Sequence, residues 1–193
     1  MSEGLIYFKD GEVISNSGDV SIYKMNEQLF LEIGPGHTLW ALESERDDYI
    51  YQLNDRPNGD CLEIGLGLGV ASKYLLSCPK VKTLTTVEKN ADVIEAYMKL
   101  EPSDYNVNYE EAIGNKSHTI LNCDGLLYAY DTPKMYDFIF VDCYDRIDED
   151  TLPLIADIAL ACKNLLKVDG EMVGWFDNGT PPEFVQAFSM LFA

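Results

Sequence analysis

The segment 60–69, Asp-Cys-Leu-Glu-Ile-Gly-Leu-Gly-Leu-Gly, constrains the fold of this chain more than any other part of it. It predicts a short buried strand that ends at Ile64, and then a turn in which Gly65, Gly67 and Gly69 alternate with leucines before a helix begins. Glycines at this spacing let the backbone turn sharply and let a ligand lie against bare main chain. The start of the helix adds unpaired N–H groups and the positive end of its dipole. The segment therefore predicts a ligand-binding loop in an α/β domain.

A carboxylate follows this loop at a distance typical of nucleoside-binding domains. Segment 82–87, Lys-Thr-Leu-Thr-Thr-Val, predicts a second strand, and Glu88 comes directly after it. An acidic side chain about 20 residues beyond such glycines, at the tip of the second strand, holds the two hydroxyls of a ribose. We therefore expect a nucleoside-binding site.

Strand-like and helix-like segments alternate from Asp60 onward, which is typical of a parallel sheet covered by helices on both faces. The predicted strands are 60–64, 82–87, 117–122, 136–141 and 171–176. The predicted helices are 46–54, 69–77, 90–100, 124–130, 151–166 and 181–192. The length of 193 residues suits one domain, or one domain with a small appendage.

The region before the glycine loop predicts β-structure. Segments 5–8 and 13–14 flank the turn signal Asp10-Gly11, and segments 20–23 and 29–33 flank Asn26-Glu27. We therefore assign residues 1–44 to an antiparallel β-hairpin appendage and residues 45–193 to the nucleoside-binding α/β domain.

Acidic residues follow four of the five predicted strands. They are Glu88, Asp124, Asp142 with Asp145, and Asp177. The carboxyl ends of parallel strands share one edge of the sheet, and a carboxylate there is costly to bury without a partner, so a bound ligand is implied. Asp124 is equally well placed to cap the helix that follows it.

The chain is strongly acidic, with 14 Lys and Arg against 33 Asp and Glu and a net charge of −19. Such a field repels phosphate backbones, so we expect no nucleic-acid partner. It attracts cations, including metal ions and polyamines. A surface that is acidic only for solubility explains the charge alone equally well.

The cysteines and the chain's apolar segments favour a cytoplasmic protein. The five cysteines are scattered without a C-x-x-C pair, which indicates reduced thiols rather than disulfides or a zinc site. The first residues lack the basic start and apolar run of a signal peptide. No segment has the roughly 18 apolar residues that a membrane span needs, so we expect no membrane partner.

The loop Glu-x-Gly-x-Gly-x-Gly, the acidic residue after the second strand and the Asp-Gly pair after the third together resemble the AdoMet-binding class I transferase fold. The resemblance covers about residues 60–176. It implies a three-layer Rossmann-like parallel sheet of order 3-2-1-4-5, here shortened at its C-terminal side. It also implies that Glu88 holds the ribose hydroxyls and that Asp124 lies by the adenine amino group. The cosubstrate-binding residues that it implies are Glu63, Gly65, Gly67, Gly69, Glu88, Asp124 and Gly125.

Two segments are more narrowly similar to the spermidine synthase (aminopropyltransferase) family. Segment 45–52, Glu-Arg-Asp-Asp-Tyr-Ile-Tyr-Gln, and segment 136–145, Tyr-Asp-Phe-Ile-Phe-Val-Asp-Cys-Tyr-Asp, match motifs of that family. The resemblance implies transfer of an aminopropyl group from decarboxylated AdoMet to a polyamine such as putrescine. It implies the following site residues: Asp142 as proton acceptor, with Tyr51, Gln52 and Asp145 binding the substrate. The chain departs from the family at Leu68, where the family has a substrate-binding Asp.

Two alternatives stay open. Asp142 with Asp177-Asn178 is similar to the set by which catechol O-methyltransferase-like enzymes hold Mg²⁺, which favours an AdoMet-dependent methyltransferase with AdoMet as cosubstrate. Asp177-Asn178 is otherwise a simple turn. The second alternative is a catalytically inactive homologue that still binds a nucleoside.

The fifth predicted strand would form an exposed edge of the shortened sheet. Proteins usually cover such edges, so we expect a homo-oligomer.

Overall fold

The computed structural model describes residues 11–34, 38–176 and 179–193, and within these ranges the strands form two sheets. The N-terminal sheet is antiparallel and consists of β1 (Glu12–Ser17), β2 (Val20–Met25), β3 (Gln28–Ile33) and β4 (Thr38–Leu42). The central sheet is parallel and consists of β5 (Gly59–Ile64), β6 (Val81–Glu88), β7 (Ser117–Asn122), β8 (Tyr136–Val141) and β9 (Leu166–Gly174).

Seven α-helices lie in the described part of the chain. They are α1 (Arg46–Leu53), α2 (Val70–Ser77), α3 (Ala91–Tyr97), α4 (Glu110–Ile113), α5 (Gly125–Asp131), α6 (Leu152–Lys163) and α7 (Pro182–Leu191). Short 3₁₀ turns occupy Glu43–Glu45 and Pro102–Asp104. None of the helices in the described ranges has the length and apolar character to cross a membrane.

The central sheet has the order β7-β6-β5-β8-β9, which is the predicted order 3-2-1-4-5. The predicted fold class is therefore confirmed. Its middle strands are covered on both faces: Phe138, Ile139, Phe140 and Val141 are all fully buried in β8. A strand that is buried on both faces needs a nearly continuous apolar run, and segment 136–141 has one, which is why its sequence predicts a core strand.

The N-terminal sheet buries one face against the rest of the protein. Val20 and Ile22 in β2 and Leu29 and Leu31 in β3 are fully buried, and the residues between them are more exposed. This two-residue period is the signature of a half-covered sheet. The antiparallel appendage is confirmed for the hairpin β2–β3, whereas the predicted strand 5–8 and Asp10 of its turn lie outside the described residues.

Two strands differ from the expected pattern. β4 was not expected, because its short sequence has no clear alternation, and it forms by pairing with β3. β9 begins at Leu166 rather than at 171, and its pairing with β8 shifts between Tyr136 and Phe138. Asp169 has a left-handed φ of 65° and precedes a glycine, so this part of the strand is irregular and its sequence is typical of a turn. β9 lies at the edge of the described sheet, and association of copies through it stays a prediction.

Candidate active-site cavity

A cavity of about 360 Å³ lies beyond the carboxyl ends of β5, β6 and β8, with the N-terminal sheet as its opposite wall. β5 and β8 are the neighbours at which the strand order reverses, the usual ligand position in such sheets. The predicted site residues that line the cavity are Gly65, Gly67, Glu88, Asp124, Gly125, Asp142 and Asp145. Its apolar wall consists of Leu31, Ile33, Trp40 and Ala41 from β3 and β4 and Leu66 and Leu68 from the glycine loop.

Gly65 brings the glycine loop directly against the end of β8. Its φ is 103°, and a Cβ at this position would lie 1.9 Å from the backbone oxygen of Asp142. Only glycine allows both the backbone conformation and this contact. The Asp142 N–H donates to the carbonyl oxygen of Ile64 at 2.8 Å, which fixes Asp142 beside the loop.

Gly69 has a different part in the loop. It is the N-cap of α2 with φ 70°, and a Cβ there would lie 2.2 Å from the ring of Tyr97. Gly69 is not among the residues that line the cavity. It therefore shapes the turn and the packing of α3 rather than the ligand wall.

Backbone donors hold the carboxylate of Glu88 at the cavity. Its Oε2 accepts from the N–H of Leu66 at 3.0 Å, and its Oε1 accepts from the N–H of Asn90 at 2.8 Å. Both oxygens are therefore fixed, and each retains acceptor capacity for a hydroxyl in the cavity.

Asp124 both caps α5 and lines the cavity. Its Oδ1 accepts from the N–H groups of Leu126 and Leu127 at 2.9 and 3.2 Å. The expected cap is therefore present. Gly125 lines the cavity beside it.

Glu63 lies behind the glycine loop and does not line the cavity. Its side chain is 1% exposed, and its Oε2 accepts from the hydroxyls of Ser72 at 2.5 Å and Thr86 at 2.6 Å. Its Oε1 is buried without a hydrogen-bond partner in the described part of the chain. Burial raises the pKa of Glu63 to about 7, against the effect of the two hydroxyls. Glu63 therefore supports the glycine loop from behind and does not contribute to the cavity wall.

Tyr51 and Gln52 do not face the cavity. Tyr51 is 87% exposed. The Gln52 side chain donates to the carbonyl oxygen of Phe176 at 2.7 Å and accepts from its N–H at 2.8 Å. These bonds tie α1 to the segment after β9. The structure therefore does not bring either residue together with the other predicted site residues.

Tyr49 and Glu45 line the cavity instead, and neither was expected there. Successive helix residues are 100° apart, so Tyr49 and Tyr51 point in nearly opposite directions. Tyr49 is 5% exposed, packs edge-on against Phe140 with ring centroids 5.8 Å apart, and donates its hydroxyl hydrogen to Glu45 Oε2 at 3.2 Å. The sequence did contain a signal for this arrangement: Glu45 and Tyr49 are four residues apart, a spacing that places two side chains on the same face of a helix.

Asp142 is partly buried and lines the cavity beside Glu45 and Tyr49. Burial, together with the nearby charges of Glu45 and Glu63, raises the pKa of its carboxyl well above the ordinary range, while a hydrogen bond with Tyr49 acts in the opposite direction. Asp145 lies nearer the surface, 3.8 Å from Arg146. The two predicted carboxylates thus share the cavity but not the same environment.

The charges that line the cavity are mostly negative. Among the described residues, five carboxylates and one lysine line it: Glu45, Glu88, Asp124, Asp142, Asp145 and Lys89. Within the described ranges, no three His, Cys, Asp or Glu side chains converge as metal ligands. Asp177 and Asn178, which the magnesium alternative requires, lie outside the described residues. A cationic organic ligand suits this lining.

Comparisons with known proteins agree with the resemblance seen in the sequence. No family model matches the chain. A polyamine aminopropyltransferase of Methanocaldococcus jannaschii is 34% identical over 112 residues, which cover 54% of this chain and 36% of that protein. A polyamine aminopropyltransferase of Bacillus cereus is 27% identical over 146 residues, which cover 72% of this chain and 51% of that protein.

Solved structures show the same fold. A spermidine synthase from Thermotoga maritima superposes with a TM-score of 0.64 at 17% sequence identity. The matched region covers 92% of this chain and 59% of the spermidine synthase chain. A spermidine synthase in complex with the transition state analogue AdoDATO also has a TM-score of 0.64, at 19% identity, over 83% of this chain and 56% of its own. The chain spans between 36% and 59% of the length of these relatives.

The fold is a Rossmann-like α/β domain with the sheet order β7-β6-β5-β8-β9, and the two solved spermidine synthases share it. Among such domains, this chain is spermidine synthase-like: its curated relatives are polyamine aminopropyltransferases, and its fold is that of spermidine synthase. The resemblance drawn from the sequence is confirmed.

Proposed function

We propose that this chain binds decarboxylated AdoMet and a polyamine such as putrescine, and that it transfers the aminopropyl group to the polyamine. The observation that carries the proposal is the lining of the cavity, in which the described residues include five carboxylates and a single lysine. Both substrates are cationic, and neither carries a carboxylate. AdoMet has a carboxylate that the acidic lining would repel, which speaks against the methyltransferase alternative.

In this proposal the nucleoside lies along the glycine loop. Glu88 accepts hydrogen bonds from the ribose hydroxyls, since its two oxygens are already oriented by backbone N–H groups. Asp124 and Gly125 lie at the adenine end. Leu68 contributes an apolar wall that gives the aminopropyl end no charge partner, so other carboxylates must hold its ammonium group.

The acceptor amine is then placed beside Asp142. A primary amine has a pKa of roughly 10 and must lose a proton before its lone pair can attack. Asp142 takes that proton, and the nitrogen bonds to the aminopropyl carbon as the carbon–sulfur bond breaks. The sulfur keeps the electron pair and leaves as the thioether methylthioadenosine. No covalent enzyme intermediate is needed, because positioning of the amine in line with the carbon lowers the barrier.

Calorimetry tests the proposal directly. Decarboxylated AdoMet, AdoMet and methylthioadenosine are titrated separately, each with and without putrescine. We expect decarboxylated AdoMet to bind more tightly than AdoMet, and putrescine to bind in the presence of methylthioadenosine. Tighter binding of AdoMet would contradict the proposal, and binding of every nucleoside without any product would support the inactive homologue.

The variant Asp142→Asn tests the chemical step. We expect it to abolish turnover and to leave the affinity for methylthioadenosine unchanged, because Asn cannot accept the proton. Full activity in this variant would remove Asp142 from the mechanism.

A further inference from the structure

A tyrosine outside the cavity holds one residue of the cavity wall. The Tyr105 hydroxyl donates to the carbonyl oxygen of Leu68 at 2.8 Å, and this bond is buried. Leu68 lines the cavity, whereas Tyr105 is 8% exposed and does not line it. Burial raises the pKa of Tyr105 above its ordinary value, so the hydroxyl keeps its hydrogen and remains a donor. Tyr105 therefore fixes the wall without touching the space inside it.

The position of Leu68 in the glycine loop makes such a contact important. Leu68 stands between Gly67 with φ 49° and Gly69 with φ 70°, two positions at which glycine gives the backbone unusual freedom. The first hydrogen bond of α2 runs from the N–H of Lys73 to the carbonyl oxygen of Gly69 at 3.0 Å. The Leu68 carbonyl therefore lies one residue ahead of the acceptors that the helix uses. A buried carbonyl oxygen that loses its donor is costly, so the bond from Tyr105 limits the positions that Leu68 can take.

The residue after Tyr105 is tied to the N-terminal sheet. The N–H of Asn106 donates to Glu43 Oε1 at 2.5 Å, and Glu43 Oε2 accepts from the N–H of Leu29 in β3 at 3.0 Å. Glu43 is 6% exposed, so both bonds are shielded from water. Tyr105 and Asn106 thus connect the glycine loop to the N-terminal sheet through three hydrogen bonds.

The glycine loop and the N-terminal sheet are also the two sources of the apolar cavity wall. β3 and β4 supply one part of this wall, and the leucines of the glycine loop supply the other. The loop comes close to the sheet at Gly67, where a Cβ would lie 3.3 Å from the Cβ of Ala41. The space between the two parts of the wall therefore depends on where the loop lies, and Tyr105 and Glu43 fix the loop relative to the sheet.

We propose that Tyr105 is a positioning residue which, through Leu68, fits the apolar wall to the group on the sulfur of the nucleoside and so favours thioether nucleosides over nucleosides without that group. This inference rests on the proposed function, in which the aminopropyl end of the cosubstrate lies beside Leu68. Methylthioadenosine carries a methyl group on that sulfur, whereas adenosine has a hydroxyl group at the same carbon. Apolar contact with the methylthio group stabilises only the first of these complexes.

The chain offers a variant for this bond and a matched control. Tyr105→Phe removes the hydroxyl and keeps the ring, including its contact with Lys73 Nζ, which lies 4.4 Å from the ring centroid. Tyr74→Phe is the control, because the Tyr74 hydroxyl also donates to a backbone carbonyl, that of Asn54 at 2.9 Å, and Tyr74 does not line the cavity. Glu43→Gln is a second variant, because an amide keeps only one of the two acceptor oxygens.

The first test is calorimetry with methylthioadenosine and with adenosine. We expect Tyr105→Phe to weaken binding of methylthioadenosine by about fivefold and binding of adenosine by less than about twofold. Tyr74→Phe should leave both affinities unchanged. If Tyr105 served only the overall stability, the folded variant would bind the two nucleosides with the wild-type ratio of affinities. An unchanged ratio in Tyr105→Phe, or an equal change in Tyr74→Phe, would overturn the proposal.

The second test measures amide hydrogen exchange in the free protein by NMR. The amide of Gly69 donates within the loop, to the carbonyl oxygen of Leu66 at 2.7 Å, and the amide of Leu62 in the buried strand β5 is the internal reference. We expect Tyr105→Phe to speed exchange at Gly69 by about fivefold relative to Leu62, and Tyr74→Phe to leave this ratio unchanged. An equal change at both amides in Tyr105→Phe would mean that the hydroxyl does not hold the loop.

The two tests separate this inference from the proposed function. If methylthioadenosine fails to bind the wild type, the proposed cosubstrate class is wrong, and the exchange rates of the free protein still decide whether Tyr105 positions the loop. If Tyr105→Phe does not fold, Glu43→Gln decides in both measurements, with the same expected directions and the same control.

Discussion

Glu63 gives the protein a pH-dependent stability that can be worked out from its surroundings. Its side chain is 1% exposed, and burial raises its pKa from 4.5 to about 7. A carboxyl group whose pKa is higher in the folded than in the unfolded state favours folding while it is protonated. Its contribution is complete below the unfolded pKa and is lost as the pH rises through the folded value.

The perturbation that isolates this effect is Glu63→Gln, which keeps an acceptor for Ser72 and Thr86 but cannot ionise. With pKa values of 4.5 and about 7, linkage predicts that the wild type loses about 2 kcal/mol from this group between pH 5.5 and pH 8. The variant does not lose it. The free energy of unfolding of the variant minus that of the wild type should therefore rise by about 2 kcal/mol across this interval.

Urea denaturation at pH 5.5, 6.5, 7.5 and 8 measures this difference, and the lowest pH stays above the pI of about 4.2. The difference between the proteins matters rather than either curve alone, because other groups titrate equally in both. Glu111→Gln, at an exposed position of α4, is the control and should give a constant difference. A difference for Glu63→Gln that varies by less than about 0.5 kcal/mol would refute the reasoning.

Three further substitutions test the site and its supports. Gly65→Ala should lower the free energy of unfolding in urea by more than about 2 kcal/mol, because the alanine Cβ would meet the Asp142 carbonyl and a φ of 103° strains any residue other than glycine. A urea midpoint equal to that of the wild type would contradict this. Gln52→Ala should cost about 1–3 kcal/mol of stability through the two lost bonds to Phe176, and an unchanged melting curve would show that these bonds contribute nothing. Glu88→Ala should weaken binding of methylthioadenosine in the calorimeter by about 1.5–3 kcal/mol, and an unchanged affinity would mean that the ribose lies elsewhere.

Local pattern was sufficient for most of the fold. The strands at 117–122 and 136–141 have the predicted bounds. Each is followed by the polar residues that mark its end in the sequence, Asp124-Gly125 after the first and Asp142 after the second. Pattern failed where pairing with a distant segment decides the structure. β4 is short and pairs with β3 through an irregular register, so its own residues carry little strand signal.

The site was harder to predict where side-chain direction matters. Helix α1 carries Tyr49, Ile50, Tyr51 and Leu53, so apolar or aromatic residues occur around most of its circumference. Which tyrosine faces inward depends on how the helix packs against β8, and the sequence of α1 does not contain that information. Glu63 presents the same difficulty, because β5 is buried on both faces and its alternation does not separate a ligand-binding face from a packing face.

The carboxylates of the cavity fall into two groups, and the difference suggests how a ligand lies. Glu88 and Asp124 each accept from two backbone N–H groups, so protein donors already compensate part of their charge. They suit the neutral hydroxyl and amino groups of a nucleoside. Asp142 lies beside Tyr49 and Glu45 in the cavity lining, and burial together with the neighbouring carboxylates raises its pKa. A ligand set with a neutral nucleoside end and a cationic amine end matches this division, because a cation beside Asp142 favours its ionised form.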